Sequence, residues 1–532
     1  MRSVADAIVQ HLVDAGVTTI FGVPGGGSNL DLIAAAGRAG LRFVLTATET
    51  AAAIAAIAQA EIAQAEIGGR PGACLTTLGP GVASVVNGVA CASLDRAPLI
   101  VFTDAPPAAM AAFAHQRLDH HALLAPVVKW SATLTPERPD AVMAAAVARA
   151  LAHPRGPVHI ECPADVLGQA ARGEEAGQVA RVGQVGQVGR VETAQAIESI
   201  VAAARRPLVL VGLGARDREA ATAVRQLCVS HNLDALVTYK AKGVVPDSDP
   251  HFAGVFTHGV AEADAIAGAD VLIGIGLDPI ELLPRPWPYR QPIVNITPYE
   301  VACEHVPFIA QWVGEVDAGV RRIAKALRPA ADRRRPPTRL ATAAARAGLA
   351  PGRVVELVAG AFPDARVTVD AGAHMFPATL LWPVAEPARM LISNGLSTMG
   401  FALPAAIGAA VVDSSARVVA LTGDGGLLMC AGELLTAARE RLPIVVVVFN
   451  DAALTLIDIK QRQREHPAAG VALGSVGWRA LAESVGLAGH VASTEDELRA
   501  ALAAARDADG PSLIEAMIDP RGYDAMFKAL RG

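Results

Sequence analysis

The sequence predicts an α/β protein of three doubly wound parallel-sheet domains, and three observations carry that prediction. Short continuous apolar runs such as 417–421 and 444–449 read as strands buried on both faces, with helical periodicity between them. The runs end in glycine-rich turns, where small residues let the backbone approach a ligand closely. Two composition shifts, one rich in Gly and Gln and one rich in Pro and Arg, divide the chain. They imply a first domain over 1–167, a linker over 168–190, a central domain over 191–327, a linker over 328–350 and a last domain over 351–532. A chain of 532 residues has room for about three ordinary domains.

In the first domain a helical stretch, 4–16, leads to the turn Phe21-Gly22-Val23-Pro24-Gly25-Gly26. The run from Arg42 then predicts an apolar strand with Glu49 at its end, among Ala, Thr and Ile. A carboxyl group in such company is desolvated, which favours its protonated form or one strong hydrogen bond. The alternative is a Glu at a helix N-terminus beside a Thr48 cap. The repeat AQAEI-AQAEI at 58–67 inserts five residues into a helix, a rotation of about 140° net at ~100° per residue, so an extra turn bulging toward the following loop is expected.

In the central domain 206–215 reads as a strand running into the turn Gly212-Leu213-Gly214-Ala215, and 269–278 as a second strand ending in Gly and Asp. This is the pattern of a Rossmann-type domain, although the turn lacks the full GxGxxG spacing. In the last domain the run 417–421 leads into Gly423-Asp424-Gly425-Gly426, read as a turn. A helix over 433–441 follows, and a buried strand over 444–449 carries Asn450 at its carboxyl end. Open α/β sheets place ligands there. A hard cation on phosphate oxygens takes a few oxygen ligands, and Asp424, Asn450 and the carbonyl of Ala452 offer three. A GDG alone is also an ordinary turn; the strand, helix and strand around it favour the metal reading.

Taken together these motifs resemble the acetolactate synthase-like branch of the thiamine diphosphate (ThDP) enzymes. The 26-residue spacing from Asp424 to Asn450 is similar to that family's GDG…N signature. The likeness continues in order through 21–26, 76–104, 115–120, 369–376 and 393–410. The resemblance implies a pyrimidine-binding first domain, a Rossmann-like central domain and a last domain that binds the diphosphate and Mg2+. It implies Glu49 as the catalytic carboxyl on the cofactor pyrimidine and Gln116 near the reacting carbon. It further implies Pro24, Gly25, Gly372, His374, Met399, Gly423, Gly425 and Gly426 as cofactor contacts, with Met399 propping the two cofactor rings apart. Gly26, His120, Leu456 and Ile457 would line the substrate pocket, and Asp424, Asn450 and Ala452 would hold the metal. Some relatives carry FAD on the central domain; Gly274–Pro279 lacks the arginine of the FAD-associated pattern, which weighs against FAD without excluding it.

The function implied is decarboxylation of a 2-oxo acid and transfer of the acyl unit to a second carbonyl. Simple decarboxylation and 2-hydroxyacyl(-CoA) lyase chemistry are the alternatives, and a catalytically silent regulatory subunit of the same fold is a second class. Lys460 stands where many acetolactate synthases have tryptophan; it points either to an acidic or phosphorylated substrate or to a solvated helix face. The family's shared active centres imply a homodimer or homotetramer. A net charge of −6 and scattered basic residues, apart from 333–335 in the second linker, give no nucleic-acid surface. No apolar stretch is long enough to span a bilayer and the N-terminus carries no signal-peptide pattern, so no membrane role and a cytoplasmic location are expected. Cys74, Cys91, Cys162, Cys228, Cys303 and Cys430 form no CxxC pair and read as thiols of a reducing compartment.

Overall fold

The computed structural model describes residues 2–110, 112–172, 191–302, 304–329 and 349–531. Most of both expected linkers, the arginines at 333–335 and Cys303 lie outside these residues. The other five cysteines are buried. Within the described residues three six-stranded parallel sheets form, each flanked by helices.

The first sheet comprises β1 (Thr19–Gly22), β2 (Arg42–Leu45), β3 (Gly72–Thr76), β4 (Leu99–Ala105), β5 (Trp130–Thr133) and β6 (Pro157–Pro163), in the order β2-β1-β3-β4-β6-β5. The second comprises β7 (Pro207–Val211), β8 (Ala235–Val237), β9 (Phe252–Val255), β10 (Val271–Ile275), β11 (Ile293–Thr297) and β12 (Phe308–Val313), in the order β12-β11-β10-β7-β8-β9. This is the Rossmann order, with its switch point at the carboxyl ends of β7 and β10. The third comprises β13 (Arg366–Val369), β14 (Met390–Ile392), β15 (Val418–Gly423), β16 (Ile444–Asn450), β17 (Ala488–Ala492) and β18 (Ser512–Met517). Its order, β14-β13-β15-β16-β18-β17, repeats that of the first sheet. Every residue of β3, β4, β7, β10 and β16 is buried, as strands covered on both faces by helices require.

Two compact units emerge, one of 1–185 with 395–415 and 429–444, the other of 186–394 with 416–428 and 445–532. In the first, the helix Glu49–Ile67 packs on the helix Ala402–Val412 so closely that a Cβ at Gly408 would stand 2.1 Å from the Ala55 carbonyl oxygen. The expected bulge at the AQAEI repeat is absent. The helix runs unbroken to Ile67 and ends at Gly68 in the left-handed conformation, φ 84°. Every side chain from Ala51 to Ala65 is buried, so this helix has no solvated face for a rotation to misplace. In the second unit the third sheet's core includes Tyr239 and Val255 from the central region. Lys240 donates to the Ile392 carbonyl at 2.9 Å, and Arg225 holds Glu386 at 2.8 Å.

Candidate active site

In the first unit several of the candidate residues lie at the carboxyl ends of β1 to β4. The turn after β1 is fixed by side chains: the Gly25 amide donates to Asn29 Oδ1 at 2.8 Å, and Asp104, ending β4, accepts from the Ser28 hydroxyl and from the Asn29 amide at 3.1 Å. Glycine is required here, because a Cβ at Gly25 would meet Asp104 Oδ2 at 2.6 Å. Gly26 faces open space.

Glu49 does not end a strand. It is the first residue of its helix, four residues beyond the end of β2, with the Thr48 hydroxyl accepting from the Ala51 amide, so the capped-helix alternative is the one observed. It is half-buried within the chain, which replaces the fully desolvated carboxyl expected. A Cβ at Gly81 would stand 3.0 Å from Glu49 Oε1. The turn before Glu49 is held by a residue that sequence reasoning missed: buried Glu433 accepts the Ala47 and Thr48 amides at 2.9 and 3.1 Å. Nothing in the local sequence marked it, because the helix it opens, Glu433–Arg439, carries Thr436 and Arg439 as well.

Gln116 is exposed and left-handed, φ 58°, and its carbonyl accepts the Gly79 amide at 3.2 Å. Met399 is half-buried, between Ser397 and Gly400, both at positive φ, rather than a core methionine. His120 is buried while His121 is about half exposed. Both rings face Glu161, at 3.4 and 3.2 Å. Burial alone would raise the Glu161 carboxyl, but His120, Thr133 and His121 hold it down at about 2.

In the second unit the ends of β13, β15 and β16 converge in the same way. Asp424-Gly425-Gly426 is not a free turn but the start of the helix Asp424–Cys430, directly continuous with β15. Gly426 is there because a Cβ would stand 2.4 Å from Asp370 Oδ2, itself held by the Thr422 hydroxyl at 2.9 Å. The Gly425 amide donates to Asp424 Oδ1 at 2.8 Å, while Asp424 Oδ2 is buried with no hydrogen-bond partner. Burial, with the Asp451 carboxylate nearby, pushes the Asp424 carboxyl up to about 6 against the pull of the Gly425, Ala452 and Ala453 amides. An unpartnered buried carboxylate oxygen of raised pKa is a group that a cation would satisfy.

Asn450 ends β16, and Glu515 orients its amide by accepting from Nδ2 at 2.7 Å. Its Oδ1 accepts the Ala452 amide at 3.0 Å, with Ala452 in the left-handed region, φ 57°. A non-glycine residue held there is uncommon, and such strain concentrates at functional turns. The His374 ring lies against Gly372 and Gly423, where added Cβ atoms would stand 2.7 and 3.2 Å from it. It stacks on Phe449 at 5.4 Å, burial pushes it down to about 3, and its Nε2 is unpartnered. The donor set of one carboxylate, one amide oxygen and one backbone carbonyl suits a hard cation bound to phosphate oxygens. Among the described residues no cluster of three or more His, Cys, Asp or Glu is arranged to hold a metal.

Leu456 and Ile457 sit in the helix Thr455–Gln463, where consecutive side chains point about 100° apart. Leu456 turns inward to Ile459, Tyr523 and Phe527, so Ile457, 44% exposed, is the one left open. Lys460 is exposed.

Comparison with known proteins gives three consecutive domain matches. Residues 2–123 match the N-terminal TPP binding domain of thiamine pyrophosphate enzymes, 193–323 the central domain and 370–516 the C-terminal TPP binding domain. The chain is 29% identical to the acetolactate synthase of Bacillus subtilis, covering 97% of this chain and 93% of that one. It is 30% identical to the catabolic acetolactate synthase of Raoultella terrigena, covering 97% and 95%. A probable 2-ketoarginine decarboxylase of Pseudomonas aeruginosa is also 30% identical, with 96% and 93% covered. In fold, it superposes on the ThDP-dependent 4-hydroxybenzoylformate decarboxylase of Rhodococcus jostii with a TM-score of 0.85 at 22% identity, over 97% and 99% of the two chains.

Proposed function

The chain belongs to the thiamine pyrophosphate enzymes of the acetolactate synthase-like branch, and from that premise we propose that it decarboxylates a small 2-oxo acid and joins the acyl unit to a second carbonyl. The observation that carries the reading is the unpartnered Asp424 Oδ2, at the end of β15 in a sheet whose next strand ends in Asn450. ThDP, when bound, supplies the carbon nucleophile and accepts the electron pair as carbon dioxide leaves. Asp424, the Asn450 amide oxygen and the Ala452 carbonyl hold Mg2+, and the metal carries the diphosphate. The glycines at 372, 423, 425 and 426 let the backbone approach that group, and neutral His374, whose other ring nitrogen donates to the Leu421 carbonyl, packs beside them. Glu49 shares its proton with a pyrimidine ring nitrogen, and Pro24, Gly25 and Met399 set the cofactor's shape. Gln116, with Gly26 and Ile457, faces the substrate, while inward-turned Leu456 packs behind Ile457 and buried His120 acts from behind through Glu161.

Each active centre, in this reading, draws Glu49 from one chain and Asp424 from another, so the working unit is a homodimer or a pair of homodimers. The buried thiols fit a reducing cytoplasm, and among the described residues no helix is long and apolar enough to cross a membrane.

A second reading, decarboxylation with release of the aldehyde, is favoured by the 2-ketoarginine decarboxylase relative, as similar to this chain as the synthases are. Product analysis by proton NMR separates the two. With ThDP, Mg2+ and pyruvate, acetolactate supports ligation, while an aldehyde from pyruvate or another 2-oxo acid without any ligated product moves the assignment to the second reading. No product from any 2-oxo acid in a panel overturns both.

A further inference from the structure

The central sheet has the order of a dinucleotide-binding domain, and its first strand ends in a glycine-rich turn. In such domains the turn's free amides receive a phosphate at the switch point. Here each of those amides already has an acceptor inside the domain. Gly212 donates to the Ile275 carbonyl at 2.9 Å, Gly214 to the Gly276 carbonyl at 2.9 Å and Ala215 back to Gly212 at 3.0 Å. Leu213 donates to Glu281 Oε2 at 2.8 Å, while the other oxygen of Glu281 meets the Thr238 hydroxyl at 2.6 Å. The backbones are in direct contact as well: a Cβ at Gly212 would stand 2.5 Å from the Gly276 carbonyl oxygen.

The loop after β9 repeats the device independently. Glu262 Oε1 accepts the Thr257 and Gly259 amides at 3.2 and 2.7 Å, and its other oxygen takes the Thr257 hydroxyl at 3.3 Å. Glu262 is 2% exposed. The rings of His258 and Trp287, stacked at 5.2 Å, and of Tyr289, whose hydroxyl lies 3.4 Å from Glu262, fill the space beside that loop.

We propose that this chain has closed its central nucleotide crevice with its own side chains. The Glu281 and Glu262 carboxyls occupy the loop amides that a diphosphate would need, so the domain takes neither FAD nor any other dinucleotide and serves as a scaffold. To bind, a diphosphate would have to displace two buried carboxyls, leaving each without its partners, a penalty set by their desolvation.

The test uses the full-length protein loaded with ThDP and Mg2+. Acid denaturation should release no flavin, titration with FAD should leave flavin fluorescence anisotropy unchanged, and ADP, as the shared dinucleotide fragment, should not shift the backbone amide resonances of Leu213 and Gly259. One flavin released per chain, a saturable anisotropy change or an ADP-dependent shift of either amide overturns the proposal. None of these readouts depends on turnover, so failure of the proposed reaction would leave the result standing.

Discussion

Two glycine-rich segments, each following a buried strand in the same unit, differ in one physical respect. At Gly212–Ala215 every turn amide is matched, one of them by a buried carboxyl whose oxygens both have partners. At Gly423–Gly426 the chain leaves Asp424 Oδ2, and beside the segment His374 Nε2, buried and unmatched. Folding alone would select against the second arrangement, since a buried unsatisfied polar atom costs about 1–3 kcal/mol. Glycine content after a strand therefore does not distinguish a ligand cradle from a structural joint. The pairing of the polar atoms does.

The sharpest way to break the comparison is Asp424→Asn. Turnover should fall by at least on the order of 100-fold, because the proposed metal ligand is lost, while thermal stability without cofactor is kept or slightly raised. Turnover near that of the wild type would remove Asp424 from the site. A mixing experiment extends it. Chains with Glu49→Gln and chains with Asp424→Asn, each inactive alone, should recover about a quarter of wild-type activity when refolded together, since half of random dimers are mixed and each mixed dimer holds one intact centre. No recovery would mean that both residues serve a centre within one chain.

Much of this contrast was legible in the sequence. The runs at 417–421 and 444–449 became β15 and β16, and Asn450 ended its strand as expected, because parallel strands buried on both faces are uniformly apolar. What sequence reading lacked was long-range pairing. The side chains of Glu281 and Glu433 each accept amides from other loops, and Glu281 reaches Leu213 across 68 positions. No local periodicity marks such a role. The AQAEI repeat misled for the opposite reason: a rotation argument presumes one buried face, and this helix is buried all round from Ala51 to Ala65, with Gln59, Glu61 and Gln64 included.

Glu281→Ala probes the matched side. It strands the Leu213 amide and the Thr238 hydroxyl in a buried site, so stability should drop by about 2–4 kcal/mol in urea unfolding, while turnover per folded molecule with ThDP and Mg2+ stays at the wild-type level. The Asp424 variant should show the reverse, activity lost and stability kept. A Glu281→Ala protein of unchanged stability would show that the carboxyl is not what holds the turn.

The smallest effect is a pH dependence that only the matched side should show. Burial pushes the Glu281 carboxyl up to about 8, against the pull of Thr238 and the Leu213 amide; Asp278 raises it further and Arg216 lowers it. Because the folded-state value lies above the unfolded one, its contribution to stability is complete below about 4.5 and is lost as pH rises through about 8. Glutamine has the shape of the protonated acid: its oxygen can accept from Leu213 and its NH2 can donate to Thr238. Glu281→Gln should therefore match the wild type near pH 5 and exceed it by on the order of 2 kcal/mol near pH 8.5, as measured by urea unfolding at each pH. A constant difference across that range would mean that Glu281 keeps one protonation state throughout, and the turn would then be closed by a permanent charge rather than by a neutral acid.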